Sequence, residues 1–72
     1  MTETNRKYLV RFGQRIQSMR KERGWTLDRL ANEIGSSKSH VWAIEGGHSA
    51  PTLPTLRALA LAFNTDLNGI AP

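Results

Sequence analysis

The sequence contains no cysteine. That excludes a disulfide scaffold and any zinc or thiol chemistry built on cysteine, and it fits a reducing compartment. Long apolar runs are missing too. No stretch approaches the roughly 18 apolar residues of a membrane span, and the opening MTETNRKYL lacks the apolar core of a signal peptide. The expectation is a cytoplasmic chain with no membrane partner. No segment alternates apolar and polar residues as a half-buried strand does, and no repeat or low-complexity tract occurs. The only imidazoles, His40 and His48, lie too far from any carboxylate pair to suggest a metal site. No Ser/His/Asp arrangement, glycine-rich phosphate loop or metal-ligand spacing is present. The chain therefore reads as non-enzymatic, with no metal and no cofactor.

What remains is 72 residues, the length of one small domain. A domain of this size buries only about 60% of the surface its unfolded chain exposes, so partner subunits often add stability. The net charge is +4 and the pI about 10.4, which points to an anionic partner, usually nucleic acid. The charge is uneven. Residues 1–24 hold seven Lys and Arg against two Glu, whereas residues 25–72 hold three against four acids.

The pattern is one of short helices separated by Gly, Ser, Thr, Pro and Asn. Residues 1–5 are expected to be flexible. A first helix runs from about Asn5 to Arg23, with Leu9, Phe12, Ile16 and Met19 as an apolar stripe. Lys7, Arg11 and Arg15 form a basic stripe well away from it. Gly13 should weaken this helix by about 1 kcal/mol relative to alanine, and Gly24 should stop it. A second helix covers about Leu27 to Ile34, capped by Thr26. Asp28 favours its positive end, and Trp25 and Leu30 have the spacing of a hydrophobic staple. A third covers about Lys38 to Glu45, capped by Ser37 and stopped at Gly46-Gly47. Val41 and Ile44 mark its inner side, which leaves Lys38, Ser39, Trp42 and Ala43 on the other. A fourth runs from about Leu53 to Phe63, with Leu53, Leu56, Leu59, Ala60 and Phe63 facing inward and Asn64 as a left-handed stop. Asp66 can cap a short fifth helix, Leu67 to about Ala71, that buries Leu67 and Ile70. The expected core is Phe12, Ile16, Met19, Leu30, Ala31, Ile34, Val41, Ile44, Leu56, Ala60 and Phe63.

Second helix, tight turn and third helix follow the helix-turn-helix order. The stretch GWTLDRLANEIGSSKSHVWAIEGG resembles the lambda-repressor-like, XRE-type (Cro/CI-like) family of phage and bacterial regulators. Leu30-Ala31, Gly35, the Val41/Ile44 pair, and Glu45 followed by Gly47 fall on the family pattern. So do Pro51, Leu53, Leu56, Ala60 and Leu67 without gaps, and the match extends over roughly Phe12 to Ile70. The resemblance implies an all-α, five-helix domain over residues 1–72, with its motif at about 27–46. It also implies a transcriptional regulator that binds double-stranded DNA as a homodimer on a palindromic operator.

The resemblance carries roles onto particular residues. The free face of the third helix would enter the major groove, with Ser37, Lys38 and Ser39 at base edges and Trp42 and Ala43 one turn later. Lys38 suits guanine O6/N7, and Ala43 a thymine methyl. Arg11, Arg15, His40 and His48 are the candidate phosphate contacts. Arg20 and Glu45 match a pair that commonly fixes the first helix to the third. Three positions depart from the family. Leu27 stands where many members have Gln. The loop at His48-Ser49-Ala50 lacks the usual Lys and Arg. Ala58 and Leu61 are apolar where the family is usually polar, and with Leu67 and Ile70 they form the expected dimer or partner face. That face keeps a second reading open, a protein-binding adaptor or antitoxin-like module with a protein partner.

Overall fold

The structure, a computed structural model, describes residues 3–72, with side chains from Asn5 onward. Every regular element among the described residues is a helix: α1 (Glu3–Glu22), α2 (Leu27–Ile34), α3 (Lys38–Glu45), α4 (Leu53–Ala62) and α5 (Leu67–Ile70). Of residues 1–5, expected to be flexible, the first two lie outside the described residues, and Glu3 to Asn5 already belong to α1. α4 ends one residue early, with Phe63 as its C-cap, and α5 ends at Ile70.

The helix starts follow from local chemistry. Each cap oxygen accepts a backbone N–H that the helix itself cannot satisfy. Thr26 Oγ1 accepts from Arg29 N at 3.0 Å, Ser37 Oγ from His40 N at 3.1 Å, and Asp66 Oδ1 from Gly69 N at 3.0 Å. Thr52 caps α4 in the same way at 3.4 Å, with Pro54 in the first turn where no N–H is required. The turn between α2 and α3 depends on Gly35, whose φ of 67° is the left-handed conformation that glycine adopts without a Cβ penalty. The amide of Ser36 then reaches back to Ala31 O at 2.8 Å and closes the helix end.

α1 packs on α3 and α5, α2 on α3 and α4, and α4 on α5. Nine of the eleven expected core residues are buried; Ile34 and Leu56 are half-buried and pack against the cluster. Leu59 and Ile70 complete the core. Burial along α4 increases from its start to its end: Leu53 is exposed, Leu56 half-buried, and Leu59, Ala60 and Phe63 buried. Leu53 is therefore not an inward residue. It has the right phase but lies at the helix end where burial has run out. Leu67, expected to be buried, is 48% exposed at the first position of α5. Trp25 stacks on Phe63 with centroids 5.8 Å apart, and the Arg29 guanidinium covers Trp25 at 4.9 Å.

Gly13 is not the weak point that helix propensity suggests. A Cβ there would collide with the carbonyl oxygens of Ile44 and Glu45, so the missing side chain is what lets α1 approach the end of α3. Next to this crossing, Arg20 Nε donates to Glu45 Oε2 at 2.7 Å and Nη2 to Oε1 at 3.0 Å. Nη1 donates to Trp25 O at 2.7 Å, so one buried guanidinium ties α1 to α3 and to the entry of α2. The fork matches the carboxylate bidentately. Hydrogen bonding to Glu45 raises the Arg20 pKa above its ordinary value, against the opposing effect of burial.

Candidate nucleic-acid interface

Val41, Ile44 and Glu45 are buried, so α3 is held along one side from Val41 to its end. Ser37, Lys38, Ser39 and Trp42 lie on its exposed side, with Trp42 58% accessible, and Ala43 is half-buried between the two. Ser37 divides its capacity. Its oxygen accepts the His40 amide, and its O–H remains a donor. Lys38, Ser39, Trp42 and Ala43 line one shallow concavity together with Leu27 from the first turn of α2. Leu27, at the position where many family members have Gln, was legible at this surface only through that pattern; it also packs against the core.

Trp42 does not stand alone. Its indole stacks on the His48 imidazole, with centroids 5.0 Å apart and planes 17° from parallel. A Cβ on Gly46 would meet that imidazole ring, so the glycine after Glu45 leaves room for the stack. Gly47, at φ 75°, lies so close to Val10 that a Cβ would strike its backbone. The part of α1 carrying Lys7 and Arg11 therefore runs beside the loop that holds His48.

The other candidate phosphate contacts separate. Arg11 is exposed beside Arg6 and Lys7. Arg15 is exposed too, but its Nη2 donates to Gly69 O at 3.0 Å, which ties α1 to α5. His40 is half-buried, with Nδ1 2.6 Å from Ser36 Oγ. A further cation has a structural role that periodicity did not reveal: Arg23 donates to Met19 O and Phe63 O at 3.0 and 2.9 Å and lies over the Phe63 ring.

On the expected partner face, Leu61 is 68% exposed, Leu67 exposed and Ala58 half-buried. Ile70 must be removed from that face. It is 1% exposed, because α5 packs on both α4 and α1 and carries Ile70 into the core. Among the described residues, no group of three or more His, Asp or Glu could hold a metal ion, and no helix is long and apolar enough to cross a membrane.

Two short helices joined by a glycine turn, the second buried along one side and exposed along the other, define a helix-turn-helix domain. The chain belongs to the helix-turn-helix family HTH_3, which matches residues 16–70. It is 41% identical over 49 residues, 68% of its length, to the HTH-type transcriptional regulator SutR of Escherichia coli K12. It is 40% identical over 58 residues, 81% of its length, to the immunity repressor protein of Bacillus phage phi105. The chain spans 28% and 40% of these two relatives, so each is much longer than the shared region. Among solved structures, the restriction-modification controller protein C.AhdI from Aeromonas hydrophila superimposes with a TM-score of 0.83 at 31% identity, covering 86% of this chain and 94% of that one. An HTH_3 family transcriptional regulator from Vibrio cholerae gives 0.84 at 29% identity, covering 92% and 37%.

Proposed function

We propose that the chain regulates transcription by binding double-stranded DNA sequence-specifically, with α3 in the major groove. One observation carries the reading: α3 is anchored on one side by Val41, Ile44 and the Glu45–Arg20 pair, while Ser37, Lys38 and Ser39 at its start are exposed. Residues at the start of a recognition helix are the ones that reach base edges. In this reading Lys38 donates to guanine O6/N7, Ser37 and Ser39 contact neighbouring edges, and Trp42 and Ala43 supply apolar contact. Arg11, His40 and His48 flank the site as phosphate contacts. Arg15 adds those of its five donors that Gly69 does not use.

One helix-turn-helix of this size offers few phosphate contacts, so two copies on a palindromic site would bind far better than one. The half-sites would lie about 34 Å apart, one turn of the duplex. Ala58, Leu61 and Leu67 supply the isologous contact, the same patch on each copy. Binding to a random-sequence duplex pool, measured against salt, tests the reading. Affinity should fall log-linearly with salt, with a slope of about −0.9 per phosphate contact, and a preferred sequence should emerge. The absence of duplex binding at low salt would refute it. Leu53 and Leu61, 67% and 68% exposed on the same helix, favour a second reading. In that reading α4 docks another protein and the domain is an adaptor or antitoxin-like module.

A further inference from the structure

The concavity beside α3 has an unusual wall for a surface that meets DNA. Leu27, Trp42 and Ala43 present carbon to it, and among the described residues Lys38 and Ser39 supply its only polar side chains. None of the described residues lining it is acidic. Leu27 and Lys38 are the first residues of α2 and α3, so two helix starts with positive partial charge flank the mouth. The indole is stacked on His48, which favours this orientation. The hollow is thus an apolar notch with a cation at its edge, in a strongly basic chain.

We propose that this notch receives the C5-methyl group of one thymine per half-site, with Leu27 and Trp42 among the side chains that contact it. The proposal rests on the reading of α3 as the groove-entering helix and names what one part of it reads. In the major groove thymine alone of the four bases offers a methyl group, and next to it the O4 acceptor. The Lys38 ammonium has three donors and no acceptor. It matches O4 of the same thymine and still has donors for guanine O6/N7 on an adjacent pair. A 5-methylcytosine presents the same methyl beside an N4–H₂ donor, whose hydrogens the Lys38 ammonium cannot accept, which leaves the Ser39 hydroxyl as the one acceptor among the side chains lining the notch. Lys38 therefore favours thymine. Leu27 becomes a specificity residue, because its branched apolar side chain can pack on a methyl group and cannot hydrogen-bond.

The test uses the full chain and a duplex selected from a random-sequence pool. Each thymidine is replaced in turn by deoxyuridine, which removes only the methyl. One position per half-site should lose affinity by about fourfold, the effect of one methyl leaving an apolar contact, and the other positions should change little. Leu27→Gln should abolish the thymidine–deoxyuridine difference at that position, read as the ratio of the variant's own affinities for the two duplexes. Because Leu27 also packs against the core, Trp42→Ala, at an exposed position, provides a second variant with the same expected loss of discrimination. Duplex binding with every deoxyuridine duplex equal to its parent would overturn the notch and leave the DNA-binding reading standing. Equal affinity for 5-methylcytosine–guanine in place of that thymine–adenine pair would overturn the choice of thymine. A chain with no duplex affinity at low salt would lose both readings together.

Discussion

Gly13 of α1 faces the carbonyl oxygen of Glu45 so closely that no side chain fits between them. The contact reverses the sign of a familiar substitution. By propensity alone, Gly→Ala in a helix interior stabilises by about 1 kcal/mol. Here the added methyl meets backbone atoms, which yield less easily than a flexible side chain. Gly13→Ala should destabilise by about 1–3 kcal/mol, the usual range for overpacking, in a urea or thermal melt. An alanine variant more stable than the parent would contradict the crossing described.

The Arg20–Glu45 pair should be worth far more than a surface ion pair. Removing either partner leaves a buried charge unmatched, at a cost of about 3–5 kcal/mol. Arg20→Ala should be the worse of the two, because it also strips the donor from Trp25 O. Arg20→Lys should rescue poorly, since an ammonium cannot reproduce the two-pronged contact. A double-mutant cycle should show coupling. The raised Arg20 pKa sets the direction of pH dependence: this contribution is complete below the ordinary arginine range and is lost only as pH climbs past the raised value. Melts from neutral into moderately alkaline solution should show no loss from Arg20.

Lys38→Ala and Arg11→Ala should affect DNA binding in different ways. The first should weaken the preferred site by about 1–3 kcal/mol and relax one base position. The second should weaken all sequences alike and lower the salt slope by about one ion. Arg15→Ala should show a mixture, losing the tie to Gly69 as well as any phosphate contact. If Lys38→Ala leaves sequence preference unchanged, α3 is not the reading element.

Leu61→Lys should abolish cooperative binding to a two-fold site while leaving the helical circular-dichroism signal intact, because the residue is exposed. Unchanged cooperativity would move the interface elsewhere.

Features set by nearby residues were legible in the sequence. Thr26, Ser37 and Asp66 each satisfy an amide three positions on, so a capping residue before an apolar stripe is enough to locate the helix start. Gly35 and Asn64 likewise adopt the left-handed backbone their side chains allow. The Arg20–Glu45 pair was legible only through the family pattern, since nothing local relates residues 25 positions apart. What stayed hidden depends on docking. Gly13 looks like a flaw until α3 is placed against it. Ile70 and Leu67 have similar side chains on the same short helix, and only the seat of α5 between α1 and α4 decides that one is buried and the other exposed. On the proposed DNA face, Lys38 and Trp42 were legible from the outer side of one helix. Leu27 was legible there only through the family pattern, because its place beside them is set by how α2 crosses α3.

The two tryptophans occupy opposite situations. Trp25 lies in the scaffold, stacked on Phe63 and covered by Arg29, whereas Trp42 is exposed on α3 and stacked on His48. The molecule thus carries two separable optical reporters without any label. In Trp42→Phe, the remaining indole should follow unfolding and ignore DNA. In Trp25→Phe, the remaining indole should respond to an occupied groove, and to His48→Ala, with the fold intact. A duplex titration that changes the emission of the second variant alone would distinguish binding at α3 from a rearrangement of the whole chain.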